Sequence, residues 1–237
     1  MFRATRHAAA VLAALVLVSL TIGTTAAATG PVPDDFSFDE RGVTAQAYWQ
    51  QCTPAGADST LRCVMTDVFV FDGRQRSRDS ELGNANGALS YVCLNRHVEV
   101  LSDEGPIEPP TNEGGCAIDP QIAMDDLDSL LVSGAVDLFA ETCVEDPETY
   151  EVTCEYEPSR TVSVEVAFTG VGAVLEDRWH SSSTSIIDGV RCHSLSSSRG
   201  AGRDAVATIA IDGESSGPSE FAFIVDGRTR TIQRCSA

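Results

Sequence analysis

Two histidines and one aspartate lie near each other in a serine-rich segment of the C-terminal third. His180, Asp188 and His193 fall within fourteen residues, and hydroxyl-bearing residues surround them. A serine held against an oriented imidazole can act as the nucleophile of a hydrolase. The chain contains no G-x-S-x-G elbow to present such a serine. We therefore interpret the segment as a solvated hairpin and keep catalysis by this cluster as an alternative.

Two groups of residues are weak candidates for metal ligands. The two histidines are separated by twelve residues, and no H-E-x-x-H pattern occurs. An acidic cluster at Asp125, Asp126 and Asp128 offers oxygens that suit Ca²⁺. An EF-hand loop counted from Asp126 would have Leu131 where glycine is required. The sequence therefore predicts no bound metal, and it contains no cofactor motif.

Single aromatic and histidine residues give weaker signals. Trp49 shares one face of an alternating strand with apolar residues, so we expect it in the core. Trp179 has polar neighbours and is the better candidate for an exposed binding residue. His97 is expected on a strand, facing solvent or packed at an edge.

The charge of the chain is strongly acidic. The formal net charge is -19, and all sixteen basic residues are arginines because the chain contains no lysine. We attribute the arginines to genomic composition. An acidic surface of this kind argues against binding to nucleic acid or to an anionic membrane surface. The partner is therefore expected to be an unknown extracellular molecule, and the oligomeric state is left open.

The N-terminus has the composition of a secretory signal. Arg3 and Arg6 precede an apolar run over residues 8–23, and small residues follow up to residue 28. This order is typical of a cleaved signal peptide, which we assign to residues 1–28. Residues 29–40 are interpreted as an N-terminal linker. We expect a secreted, extracellular protein without a membrane anchor after cleavage.

The eight cysteines predict four disulfide bonds, because an even number in an exported chain is typical of a disulfide framework. Two pairs have the same C-x10-C spacing, and each flanks a turn-prone segment. A hairpin would place the two cysteines of such a pair opposite each other. Proximity and elimination assign the other two bonds. The predicted bonds are Cys52–Cys63, Cys143–Cys154, Cys93–Cys116 and Cys192–Cys235.

The equal spacing also suggests an internal duplication. In each half, an apolar strand ending in glycine follows the C-x10-C pair, and a third and fourth cysteine come later. We therefore predict an all-β fold of two small, disulfide-stapled β-sandwich-like units. The first unit covers residues 41–118 and includes an acidic, Pro/Gly-rich linker at 103–115. The second covers residues 119–237. The alternative is that the equal spacing is a coincidence and that the chain forms a single sandwich.

Alternating apolar residues predict strands along most of the chain, as over residues 162–168. Five Asp-Gly or Asn-Gly pairs are candidates for tight hairpin turns, and the strongest is Asp226-Gly227 between two alternating runs. Residues 119–131 fit either a helix or an extended segment, because Asp119-Pro120 resembles a helix start.

These patterns favour a secreted, non-enzymatic β-sandwich module that binds an unknown ligand or acts as a spacer. The first alternative is an extracellular hydrolase that uses His180, Asp188 and His193. The second is a protease-inhibitor-like module that presents a disulfide-closed loop such as Cys52–Cys63, since a rigid loop loses less entropy on binding.

Overall fold

The computed structural model describes residues 36–56, 60–79, 83–102, 105–107, 110–145, 152–187 and 190–236. The predicted signal peptide and residues 29–35 of the predicted linker lie outside these ranges. The described residues form strands and turns without a helix, so the all-β prediction is confirmed. None of them belongs to a helix long and apolar enough to cross a membrane.

The described part of the chain contains eleven strands, several of them much longer than the sequence predicts. They are β1 (Phe36–Pro54), β2 (Leu61–Asp79), β3 (Gly83–Ser102), β4 (Gly105–Pro106), β5 (Thr111–Ile118), β6 (Gln121–Asp125), β7 (Ser129–Glu145), β8 (Val152–Ile187), β9 (Val190–Ile211), β10 (Glu214–Ser215) and β11 (Phe221–Ser236). The segment at 119–131, which could have been helical, forms β6, a turn and the start of β7.

All strands belong to one antiparallel sheet that closes on itself. The strand β8 pairs with both β7 and β9, and β11 pairs with both β9 and β1. Eight strands therefore form a ring in the order β1-β2-β3-β5-β7-β8-β9-β11. We call this ring the closed sheet. It is one large sheet, in place of the two separate sandwich-like units that the cysteine pattern suggested.

The inner face of the closed sheet carries one hydrophobic core. Alternate residues of β1 point into it, and Trp49 is only 2% exposed, as predicted. The alternating apolar side chains over residues 162–168 of β8 are also buried on this face. Both halves of the chain contribute to this core, and the predicted unit boundary at 118/119 falls between β5 and β6. Burial of these side chains is the main source of stability of the closed sheet.

Six strands continue beyond one end of the ring as an open sheet. The pairing of β8 with β7 ends at Thr169, whereas its pairing with β9 continues to Ile187. The six strands lie in the order β8-β9-β11-β1-β2-β3. We call this part the open extension. It consists of residues 175–187, 190–202, 226–236, 36–42, 73–79 and 83–89.

A row of four glycines crosses the sheet where the open extension begins. Gly200, Gly227, Gly42 and Gly73 are successive cross-strand partners on β9, β11, β1 and β2. A Cβ atom added to Gly42 would lie 2.2 Å from the carbonyl oxygen of Asp72, which only glycine avoids. The backbones therefore approach closely on the outer face, and the sheet curves there.

The glycine row corrects the prediction of a turn at Asp226-Gly227. The strand β11 runs straight through this pair, because Gly227 lies opposite glycines of both neighbouring strands. Of the other candidates, Asp72-Gly73 and Asn86-Gly87 also lie within strands, and Asp188-Gly189 is outside the described residues. Asp212-Gly213 does form a turn, with φ angles of 52° and 83° that a type I′ turn requires.

The structure contains four disulfide bonds, and they join the same pairs that the spacing, proximity and elimination suggest. The bonds are Cys52–Cys63 between β1 and β2, Cys93–Cys116 between β3 and β5, Cys143–Cys154 between β7 and β8, and Cys192–Cys235 between β9 and β11. Each joins residues that are directly opposite on paired strands. Such a framework is typical of an oxidising, extracellular environment.

Candidate functional site

The two histidines of the predicted catalytic cluster lie on one hairpin but in different places. His180 on β8 pairs with Ser197, and His193 on β9 pairs with Thr184. The register separates the two histidines by four residues along the strands, or about 14 Å. Both are exposed, and Nδ1 of His193 is 3.2 Å from Oγ1 of Thr184. Asp188 lies outside the described residues. The structure therefore does not bring the two imidazoles together.

The predicted acidic cluster lies at the turn between β6 and β7. Asp125 ends β6, Asp126 has a φ of 52°, and the backbone nitrogen of Asp128 donates to the carbonyl of Asp125 at 3.1 Å. The carboxylate of Asp128 contacts the guanidinium of Arg203. This ion pair uses the Asp128 carboxylate, and the three acids are not among the described groups whose ligand atoms lie close enough together to hold a metal.

A second group with ligand-type atoms contains Glu141, Cys143 and Cys154. Its two sulfur atoms form a disulfide, so neither is available as a thiolate ligand. Within the described ranges, this is the one cluster of histidine, cysteine and acidic groups close enough to hold a metal. It offers a single carboxylate and does not make a metal site.

The most distinctive feature of the structure is a continuous row of arginines across the open extension. Arg178, Arg199, Arg228, Arg41 and Arg74 are successive cross-strand partners on β8, β9, β11, β1 and β2. All five side chains are exposed and point to the same face. Neighbouring strands lie about 4.8 Å apart, so the row is about 19 Å long. We call it the arginine row.

Five more arginines lie on the same face, further from the closed sheet. Period-2 alternation and the register place them on β2, β9 and β11, and all are exposed. They are Arg76, Arg78, Arg191, Arg230 and Arg234. We call the ten residues together the arginine face. This face carries ten of the sixteen arginines of a chain whose net charge is -19.

Within the described part of the chain, one carboxylate lies among these arginines beyond the row. Nε of Arg228 donates to Oδ1 of Asp39 at 2.7 Å, and a terminal nitrogen of Arg228 also contacts the second carboxylate oxygen. This hydrogen bonding, together with the charges of Arg228, Arg230 and Arg76, lowers the pKa of Asp39 below its ordinary value. Asp39 therefore stays ionised and orients Arg228.

Carboxylates also border the arginine row on the side of the closed sheet. Glu176, Asp226 and Asp72 lie on the same face, two residues along their strands from Arg178, Arg228 and Arg74. That spacing is about 7 Å. A shallow depression of about 390 Å³ lies between the arginine row and these carboxylates, on β8, β9, β11 and β1. These carboxylates weaken the positive potential of the arginine row on the side of the closed sheet. They do not weaken it on the other side, toward the outer end of the open extension.

The opposite face of the open extension has a different composition. Its side chains are mainly serine, threonine and glutamine, as at Ser196, Thr231 and Gln75. The aromatic residues of the extension, including Trp179 at 47% exposed, also lie there. Arginine alternates with uncharged polar residues along β2 and β11, and the two faces of the open extension are chemically distinct.

The arginine face is not among the sites that the sequence predicts, because the arginines are attributed there to genomic composition. A local signal was present: the segments Arg74-Gln-Arg-Ser-Arg78 and Arg228-Thr-Arg230 repeat arginine at every second position. In a strand, this spacing puts the side chains on one face. The row itself depends on the register of five strands, which no local pattern contains.

A second surface feature is a cleft of about 600 Å³ on the outer face, at the other end of the closed sheet. It lies between the disulfide-closed hairpins β1–β2 and β7–β8. Tyr48, Met65, Phe139 and Tyr156 contribute to its walls, and its floor is formed by β3 and β5. The volume is within the range of small-molecule sites.

A chain of hydrogen bonds crosses this cleft through four strands. The Tyr156 hydroxyl donates to Glu141 at 2.7 Å, and the amide of Asn112 donates to the same carboxylate at 3.4 Å. Nδ1 of His97 is 2.5 Å from the amide oxygen of Asn112, and its Nε2 is 2.7 Å from Glu99. Both ring nitrogens of His97 therefore face acceptors, which favours the imidazolium.

The hydrogen bond to Glu99, followed by that to Asn112, raises the pKa of His97 above its ordinary value. A group with a raised folded pKa stabilises the fold below its unfolded pKa of about 6.5 and loses this effect as pH rises through the folded value. We expect the stability difference between wild type and His97→Gln to be largest below pH 6.5 and to shrink at higher pH. Urea unfolding at several pH values checks this, and a difference that grows with pH would contradict it.

No protein-family model and no curated protein matches the sequence of this chain.

Proposed function

We propose that the protein is a secreted, non-enzymatic binding module that holds anionic ligands on its arginine face. The observation that supports this most strongly is the placement of ten exposed arginines on one face of an acidic chain. Guanidinium groups bind carboxylate, sulfate and phosphate in a planar, bidentate manner. The four disulfides support an extracellular location.

The arrangement of the row supports a binding role more than a structural one. Like charges directly opposite each other on paired strands destabilise a sheet. Arg41 lies between Arg228 and Arg74, so the fold contains two such pairs at this residue alone. An anion that bridges neighbouring guanidiniums would remove this repulsion.

The two alternative functions have less support. A hydrolase centred on His180 and His193 would need groups that the register keeps about 14 Å apart. An inhibitor-like loop closed by Cys52–Cys63 would act through its tip, where residues 57–59 lie outside the described part of the chain.

Chromatography on a cation exchanger tests the proposed function. At pH 7 a protein with this net charge should pass through a negatively charged resin unless a local positive surface holds it. We expect the mature wild type to be retained at low salt and to elute as salt rises. The double variant R41Q/R199Q should elute earlier.

The matched control is R62Q/R160Q, which removes the same charge far from the arginine face. We expect it to elute close to the wild type. Wild-type protein in the flow-through, or an equal shift of both variants, would show that the arginine face does not act as an anion-binding surface.

Arg41→Gln should stabilise the unliganded protein, because it removes the repulsion between Arg41 and both of its cross-strand partners. We expect a gain of about 0.5 kcal/mol at low salt. The gain should shrink in high salt, where exposed charges are screened. Urea unfolding at two salt concentrations measures it. Destabilisation by Arg41→Gln at low salt would mean that the arginine contributes to the fold.

We also propose that the chain arose by duplication of a four-stranded unit. The hairpins β1–β2 and β7–β8 each carry a disulfide with a sequence separation of 11. The strand pairs β3–β5 and β9–β11 carry the other two bonds. The same order of strands and bonds in residues 41–118 and 119–237 supports the proposal. Superposition of the two halves in an experimental structure tests it, because corresponding cysteines should coincide.

A further inference from the structure

We infer that the ligand of the arginine face is a linear acidic polysaccharide that lies across the strands, along the arginine row. This inference rests on the proposed function, since it names the class of ligand that the arginine face binds. It depends on three properties of the face: the regular spacing of its charges, the uncharged residues between them, and the kinds of side chain that the face lacks.

The spacing of the arginine row fits a polymer with a repeated charge. Its five guanidinium-bearing residues succeed each other at intervals of one strand, about 4.8 Å, across five neighbouring strands. This interval is close to the length of one sugar unit in an extended glycan. A chain with a carboxylate or sulfate on each sugar therefore carries its anions at about the spacing of the arginines. A small anion would use one or two of the five positions.

The uncharged residues of the face suit sugar rings. Ser182, Ser197 and Ser37 share the face with the arginines and offer hydroxyl groups for hydrogen bonds to sugar hydroxyls. Leu195 is 49% exposed beside its partner Ile232, and the two form a small apolar area on the same face. A glycan presents charged groups, hydroxyls and C–H surfaces together, and this face has a complement for each.

The arginine face offers little of the aromatic surface that single-stranded nucleic acid needs. Such ligands bind through aromatic side chains on which successive bases stack. Among the described residues, the arginine face carries no tryptophan, tyrosine or phenylalanine, because Trp179 and Phe38 are on the opposite face of the open extension. Its only aromatic rings among these residues are the imidazoles of His180 and His193, which the register keeps about 14 Å apart. This scarcity of aromatic surface favours a polyanion without bases.

The length of the row predicts how affinity depends on ligand length. The mature, disulfide-bonded protein is titrated calorimetrically with galacturonic acid oligomers of one to eight units and with polygalacturonate. We expect affinity to rise up to about five units, one for each arginine, and then to level off. R41Q/R199Q should bind the pentamer about tenfold more weakly than wild type, whereas R62Q/R160Q should bind as wild type does.

Other polymers at the same salt concentration test the class of ligand. Neutral dextran should not bind, and single-stranded DNA and polyphosphate should bind more weakly than polygalacturonate. Equal or tighter binding of DNA or polyphosphate would overturn the inference, as would affinity that does not depend on oligomer length. If the protein is retained on the cation exchanger but binds no polysaccharide, the inference fails and the proposed function stands. If it is not retained, the proposed function fails first.

Binding of a second copy of the chain to the arginine face is another outcome that the test distinguishes. The remainder of the molecule is acidic and is itself an anionic surface. Sedimentation without polymer distinguishes it. A salt-sensitive oligomer that R41Q/R199Q abolishes and R62Q/R160Q keeps would assign the arginine face to self-association and would overturn the polysaccharide inference. A wild-type monomer under the same conditions supports it.

Discussion

Replacement of Gly42 by alanine is expected to destabilise the protein by about 3 kcal/mol. A Cβ atom at this position would lie 2.2 Å from the carbonyl oxygen of Asp72 and 2.6 Å from the Cα of Gly73. Both contacts are with backbone, which cannot move aside as a flexible side chain can. The two strands must therefore separate at the glycine row, directly beside Arg41 and Arg74. Urea unfolding measures the loss of stability.

The same substitution should also weaken anion binding. If the strands separate at Gly42, the neighbouring members of the arginine row no longer keep their regular spacing. We expect Gly42→Ala to elute earlier from the cation exchanger although its net charge is unchanged. This outcome would link the curvature of the sheet to the binding surface.

Gly87→Ala is the matched control. Gly87 lies on β3 in the same open extension, and a Cβ atom there would meet nothing within 4 Å. Alanine in place of this strand glycine should leave stability unchanged or raise it by about 0.5 kcal/mol. If Gly42→Ala proved as stable as Gly87→Ala, the close approach of β1 and β2 at the glycine row would be contradicted.

Local patterns were sufficient to predict the strands and the hairpin disulfides. Alternation of apolar and polar residues around Val164 and Val166 is a property of one strand, and it survives in β8 with the apolar side buried. The pairing of Cys52 with Cys63 needs only a hairpin, which two adjacent strands form by themselves. The period of the apolar residues and the residue types in the turns contain enough information to predict such features.

Features that depend on partners distant in sequence could not be predicted in this way. Asp226-Gly227 has the local chemistry of a tight turn, but Gly227 lies opposite Gly42 at the other end of the chain. The close packing of the two backbones explains the glycine and overrides the turn. The closed sheet depends on the same pairing of β11 with β1, which a reading of one segment at a time does not reveal.

The expectation about charged partners shows a related limit. Net charge is a sum over the whole molecule, whereas a ligand responds to charges within about one Debye length, roughly 8–10 Å. The arginine row places five positive groups within about 19 Å on one surface. A chain with a net charge of -19 can therefore present a positive face. Composition alone supports only statements about the average surface.

Loss of the Cys192–Cys235 disulfide should have a large effect that includes the binding surface. The bond joins β9 to β11 near the outer limit of the open extension, with a sequence separation of 43. In the chain-entropy model its removal costs about 4 kcal/mol. The variant C192A/C235A should also free the ends of these strands, which carry Arg191 and Arg234.

The comparison with C52A/C63A separates the loss of stability from the effect on the binding surface. This bond has a sequence separation of 11, and it lies at the opposite end of β1 from the open extension. Its removal should cost about 3 kcal/mol in the same model. We expect C52A/C63A to keep wild-type retention on the cation exchanger at temperatures where it is folded, and C192A/C235A to elute earlier. Equal retention of the two variants would show that the outer arginines do not contribute to anion binding, and would confine the site to the arginine row.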